Sequence, residues 1–121
     1  NFFLYLENDD LCLRKKKENN KIYVVKKAKI NHLGGKSSSI DHEKEIEFSR
    51  NWHWMWSKFY FNKKHYGYLK AFTLSLPSLV TSGIKFFYYL ITKNKYKKKI
   101  YIMRFLGLLN SMLSKKSWYR P

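Results

Sequence analysis

The sequence predicts an α/β chain, with strands and a helix over residues 1–46 and helices over 47–121. Three observations carry this. Short apolar or β-branched runs at residues 2–6, 22–25 and 28–32 have the length and composition of strands. An acid-headed helix stands between the first two. Beyond residue 47 the apolar spacing lengthens to the helical period.

Residues 2–6, Phe-Phe-Leu-Tyr-Leu, form a continuous apolar run that predicts a buried strand. Asn8 or Asp9 is then placed to cap a helix over 10–17, with Leu11 and Leu13 packing and Asp10 one turn before Arg14. Glu18, Asn19 and Asn20 end it as a polar turn. Strands follow at 22–25 and 28–32, and Gly34-Gly35 breaks the chain into a polar loop.

Ser49 is positioned to cap a helix over 50–63 whose stripe is Phe48, Trp52, Met55 or Trp56, and Phe59. Residues 63–67 are a basic break. The stretch 68–91 is the most hydrophobic and is long enough to cross a bilayer, but Lys70, Pro77 and Lys85 interrupt it. The expectation is one or two interfacial helices broken near Pro77. A basic linker over 93–99 leads to a last helix over 100–114. Its ridges are Ile102, Leu106, Leu109, Leu113 and Tyr101, Phe105, Leu108, Met112; its polar strip is Arg104, Gly107, Ser111, Ser114.

The 121 residues hold 25 Lys and Arg against 8 Asp and Glu, a net charge of +17. Such an excess calls for a polyanionic neighbour: nucleic acid, a phosphate-bearing substrate or an anionic membrane. Ten Tyr, nine Phe and four Trp suit either base stacking or a membrane interface. The aromatics follow helix stripes rather than a sheet face, which counts against nucleic acid. Cys12 is the single cysteine, so no intramolecular disulfide forms, and a reducing compartment is compatible. With Asn1 leading straight into an apolar run, the expectation is a chain cut from a longer one.

Glu7, Asp9 and Asp10 are three of the eight acids, crowded within four positions. From spacing alone, helix capping is the commoner outcome. The functional alternative is a carboxylate that takes a proton from a nucleophile or holds sugar hydroxyls. His32, at a predicted strand end, is more often structural; as a metal ligand it would need carboxylate partners, and the first cluster supplies the near ones. No phosphate-binding glycine loop or zinc-finger spacing occurs.

Three ordered blocks, Phe2 to Arg14, Lys21 to Val25 and Asn31 to Ser38, resemble the second half of bacterial family 2 glycosyltransferases, closest to rhamnosyltransferase-like members. The ending, from Arg104-Phe-Leu-Gly-Leu-Leu-Asn-Ser to Lys116-Ser-Trp-Tyr-Arg-Pro121, resembles the end of those enzymes. The resemblance implies the C-terminal half of a GT-A, Rossmann-like domain over 1–46 and a membrane-associated helical region over 47–121. It implies a nucleotide-sugar donor, Mn²⁺ or Mg²⁺, and inverting transfer to a lipid-linked or polysaccharide acceptor. The site would lie at the cytoplasmic face of the bacterial inner membrane.

Matched residue by residue, Glu7 and Asp10 take the family's first and last acids, and Arg14 its arginine on the acceptor side. His32 takes the histidine that joins metal and diphosphate, with Gly34 and Gly35 beside it. Where many members carry an aspartate base, this chain has Asn8, and an amide cannot be a general base. The base role then passes to Asp9 or Glu7, and Asn8 is left for acceptor binding. The family's donor-binding half and its Asp-x-Asp metal motif have no counterpart in the sequence, so the chain is expected to be inactive alone. The competing expectation is a small basic membrane-interface or nucleic-acid-binding protein without catalysis.

Overall fold

The computed structural model describes residues 2, 4–31 and 42–120. Among them are four helices: α1 (Glu7–Lys17), α2 (Glu43–Tyr66), α3 (Tyr68–Ile91) and α4 (Lys95–Met112). No strand forms among the described residues. The fold is all-α, which corrects the expected α/β class and the expected half of a GT-A sheet domain. A strand needs a ladder partner, and an isolated one is marginal in water. The β-branched residues of the expected second and third strands have none: Val24 is 87% and Ile30 90% exposed. The expected first strand is instead an irregular strap across α2. There Tyr5 and Leu6 take left-handed φ of 68° and 64°, and the Leu4 carbonyl accepts from Ser57 Oγ at 2.7 Å.

Leu6, not Asn8 or Asp9, precedes the first turn of α1, and no side chain caps it. Helix α2 starts earlier than its stripe suggested, after His42, and Ser49 is buried within it. Gly67, at φ 85°, turns the chain from α2 into α3. Helix α3 runs unbroken through Pro77, which lies on its exposed side. The cost is the bond that the Thr73 carbonyl would have received. The expected basic linker shrinks to a sharp turn. Lys93 adopts φ 56°, its N–H reaches the Leu90 carbonyl, and that of Asn94 reaches Tyr89. This closes the end of α3. Asn94 then caps α4, its side chain accepting from the Lys97 N–H at 3.0 Å. One residue thus ends one helix and starts the next.

Helices α2, α3 and α4 pack on one another, and α1 lies against the end of α2. Met55, Phe59, Ala71, Leu108 and Met112 form one core cluster. Trp52, Trp56 and Met103 form a second, flanked by Phe48, Tyr60 and Tyr119. Trp52, Met55 and Phe59 of the expected α2 stripe therefore face inward. On α4 the expected assignment reverses in part: Gly107 and Ser111, from the polar strip, are buried, and Leu113 is exposed. The tail beyond α4 folds back on α2. His53 is fully buried between the Tyr119 carbonyl at 2.9 Å and Ser117 Oγ at 3.0 Å. Trp56 Nε1 donates to the Lys115 carbonyl, and Tyr119 stacks on Trp52.

Candidate functional site

The structure sorts the three crowded acids into two kinds. Glu7 and Asp9, with Asn8 between them, are exposed on the first turn of α1. Asp10 points the other way, toward the end of α2, and its side chain is 6% exposed. Arg14 Nε donates to it at 3.0 Å from one helical turn along. Lys64 Nζ lies 2.6 Å from one carboxylate oxygen and 2.8 Å from the other. His65 Nε2 donates at 2.8 Å, while its Nδ1 faces Lys17 Nζ at 3.4 Å. That arrangement suits the Nε2–H tautomer.

Burial pushes the Asp10 carboxyl up, but the bonds from Lys64, His65 and Arg14 outweigh it and hold it at about 2. Half-exposed cations roof this carboxylate; it is not sunk in the apolar core. With its oxygens committed to three donors, Asp10 is a poor proton acceptor and a strong tether. It fastens α1, and with it Glu7 and Asp9, to the C-terminal end of α2. Glu7, Phe2, Arg14 and Lys64 line a shallow hollow around it.

The structure therefore brings Asp10 and Arg14 together and presents Glu7, Asn8 and Asp9 to solvent. His32, Gly34 and Gly35 lie outside the described residues. Among the described residues no three His, Cys, Asp or Glu side chains gather as a metal shell. Asp10, ringed by cations, does not fit the role of metal ligand. Sequence reasoning missed Lys64 and His65, which read as part of a basic break. The available signal was scarcity: a buried acid in a chain with a threefold excess of bases recruits bases from elsewhere in the fold.

A second feature is larger. Helix α3 turns small residues inward: Ala71, Ser75 and Ser82 are its buried positions. Its large apolar residues face out, with Leu69 82%, Ile84 63% and Ile91 80% exposed, joined by Phe72, Leu76, Val80 and Phe87. Lys63 and Lys64 stand before this surface, and Lys93, Lys95, Lys97, Lys98 and Lys99 after it. The helix is 24 residues long, and its most apolar 18-residue window has a mean hydropathy of 1.2 and is 11% buried. By length and composition it is the one described helix able to cross a membrane.

No protein-family model matches the chain, and no curated protein or solved structure does either.

Proposed function

We propose that this chain seats on an anionic membrane surface through α3 and carries the acceptor side of a sugar transfer. The reading is an inverting transfer from a nucleotide-sugar to a lipid-linked glycan, at the cytoplasmic face of a bacterial inner membrane. The inverted polarity of α3 carries the membrane seating. In water, a helix with small residues inward and Leu, Ile and Phe outward leaves its main apolar surface unpaid for; against lipid it does not. Lysines at both ends suit anionic headgroups, each contributing about 1 kcal/mol near the surface.

The transfer chemistry rests on the ordered resemblance of the blocks holding Glu7 to Arg14 and His32 to Gly35. Glu7 and Asp9 supply the exposed carboxylates that can accept the acceptor hydroxyl's proton. In this reading Asn8 and the outer guanidinium nitrogens of Arg14 hold that acceptor. Asp10 positions the turn that carries them. His32, with Gly34 and Gly35, meets the metal and diphosphate of the donor in this reading, and the rest of the nucleotide-sugar is held by groups outside these motifs.

The test has two arms. Vesicle flotation reads the seating: the chain floats with anionic vesicles, and an α3 variant with Leu76, Val80 and Ile84 changed to Ser does not. Sugar transfer is read in the full reading frame containing these residues, with nucleotide-sugar and native membranes. Glu7→Gln combined with Asp9→Asn should abolish transfer. Full transfer by that double variant contradicts the base assignment. Salt-sensitive retention on single-stranded nucleic acid without flotation would assign the charge to nucleic acid instead.

A further inference from the structure

A cavity of about 540 Å³ opens where α2, the end of α4 and the returning tail meet, a size typical of ligand pockets. It is separate from the Asp10 cluster, although Phe2 edges both. Its apolar wall is aromatic: Trp56 and Tyr60 stack with centroids 4.9 Å apart, and Phe2 meets Tyr60 edge-on at 5.0 Å. Its polar wall is cationic, with Lys63, Lys115, Lys116 and Arg120, and no carboxylate among the described residues lines it.

Ser111 supplies the second observation. Ser111 is one of the residues that line the cavity; it is 3% exposed, and its Oγ makes no hydrogen bond within the described residues. A buried hydroxyl without a partner is costly to keep unless something else bonds it. The end of α4 is also prepared for an anion. Its last carbonyls would repel one, but they are closed off. Ser114, at φ 58°, sends its N–H to Ser111, and the Lys115 N–H goes to Asn110. The same turn swings Lys115 and Lys116 over the cavity and lets Lys63 Nζ reach Ser114 Oγ at 2.7 Å.

We propose that this cavity binds an organic phosphate ester. Its phosphate meets Lys63, Lys115 and Lys116 and accepts from Ser111 Oγ, and its carbon portion lies on Trp56 and Tyr60. Neither the membrane seating of α3 nor the transfer reaction is needed for this site, and it is tested in solution.

Calorimetric titration of the 121-residue chain with octyl phosphate, below its micelle-forming concentration, and with inorganic phosphate gives the decision. Saturable 1:1 binding is expected for octyl phosphate. Lys63→Gln and Lys116→Gln should each weaken it about tenfold, and Ser111→Ala about fivefold. Lys44→Gln, exposed at the opposite end of α2 from Lys63, should leave it unchanged. Circular dichroism shows whether each variant keeps its helices, and the exposed Lys116 site keeps the test valid if Ser111→Ala does not fold. Octyl phosphate binding about tenfold tighter than inorganic phosphate supports the site with an amphiphilic ester as its source. Equal binding of the two overturns the ester assignment, because the carbon portion would then gain nothing from Trp56 and Tyr60. Absence of saturable binding, or binding that Lys63→Gln and Lys116→Gln leave unchanged, overturns the proposal.

Discussion

Gly107 of α4 lies directly on the backbone of Trp52 in α2. A β-carbon added to Gly107 would overlap the Trp52 carbonyl oxygen and stand 3.0 Å from its carbonyl carbon. The close approach of α2 and α4 at this point thus depends on a missing side chain. Because the obstructing group is backbone, it cannot swing aside. Gly107→Ala is expected to destabilise the bundle by roughly 3 kcal/mol, despite the better helix propensity of Ala. Thermal unfolding followed by circular dichroism checks this; a raised midpoint would contradict the close packing.

The tether at Asp10 has a defined pH signature. Its folded value, about 2, lies below the ordinary 3.8. A depressed carboxyl stabilises the fold at pH above its unfolded value, and that contribution is lost as pH falls from 3.8 through 2. Solvent around Lys64 and Arg14 screens the interaction, leaving about 1–2 kcal/mol. Asp10→Asn should lower stability by that amount at pH 7 and release α1, seen as faster amide exchange over residues 7–17. Its stability should then be flat where that of the parent falls. A variant as stable as the parent at pH 7 would show the cluster to be incidental.

His53 works in the opposite charge sense. Burial pushes its imidazole below the ordinary 6.5, with the bond to the Tyr119 carbonyl opposing and Arg120 adding to the fall. The neutral ring is the one that fits between Tyr119 and Ser117. Below pH 6.5 the unfolded chain binds a proton that the folded chain resists, so stability drops as pH falls from about 6.5 toward the folded value. The tail over 115–120 should loosen first. Tryptophan emission, reporting Trp52 and Trp118 packed against Tyr119, should shift red over this range. His53→Gln should remove the shift.

Lys93 holds a left-handed φ of 56° in the turn between α3 and α4. That conformation costs a non-glycine residue about 1 kcal/mol, which glycine avoids. Lys93→Gly is expected to stabilise the chain by about that much in chemical denaturation. A loss of stability would mean that the lysine side chain contributes more than its backbone costs.

The parts legible in the sequence were local. The stripe of Trp52, Met55 and Phe59, the i,i+4 pair of Asp10 and Arg14, and the helices near 10–17, 50–63 and 100–114 followed from period and charge. What was not legible depended on partners. Residues 22–25 have strand propensity but no strand to pair with, so propensity had nothing to act on. The Asp10 pair with Lys64 spans 54 positions, and no periodicity announces it. The inward face of α4 was misread for a physical reason. Gly107 and Ser111, read as part of a polar strip, are buried because small side chains let helices approach, while a water-based pattern assigns them outward. The expected catalytic set was only partly brought together, since Asp10 is spent on holding α1.

The outward apolar face of α3 is tested most directly by its depth in a bilayer. With Cys12→Ser as background, a fluorescent nitrobenzoxadiazole label is placed at Ile84→Cys or, as a reference, at Tyr23→Cys, both exposed in the structure. Anionic vesicles carrying nitroxide on the lipid acyl chain then act as quencher. Blue-shifted emission and strong quenching are expected at position 84, with neither at position 23. Unshifted and unquenched emission at position 84 in the presence of anionic vesicles would contradict the seating of α3 in lipid.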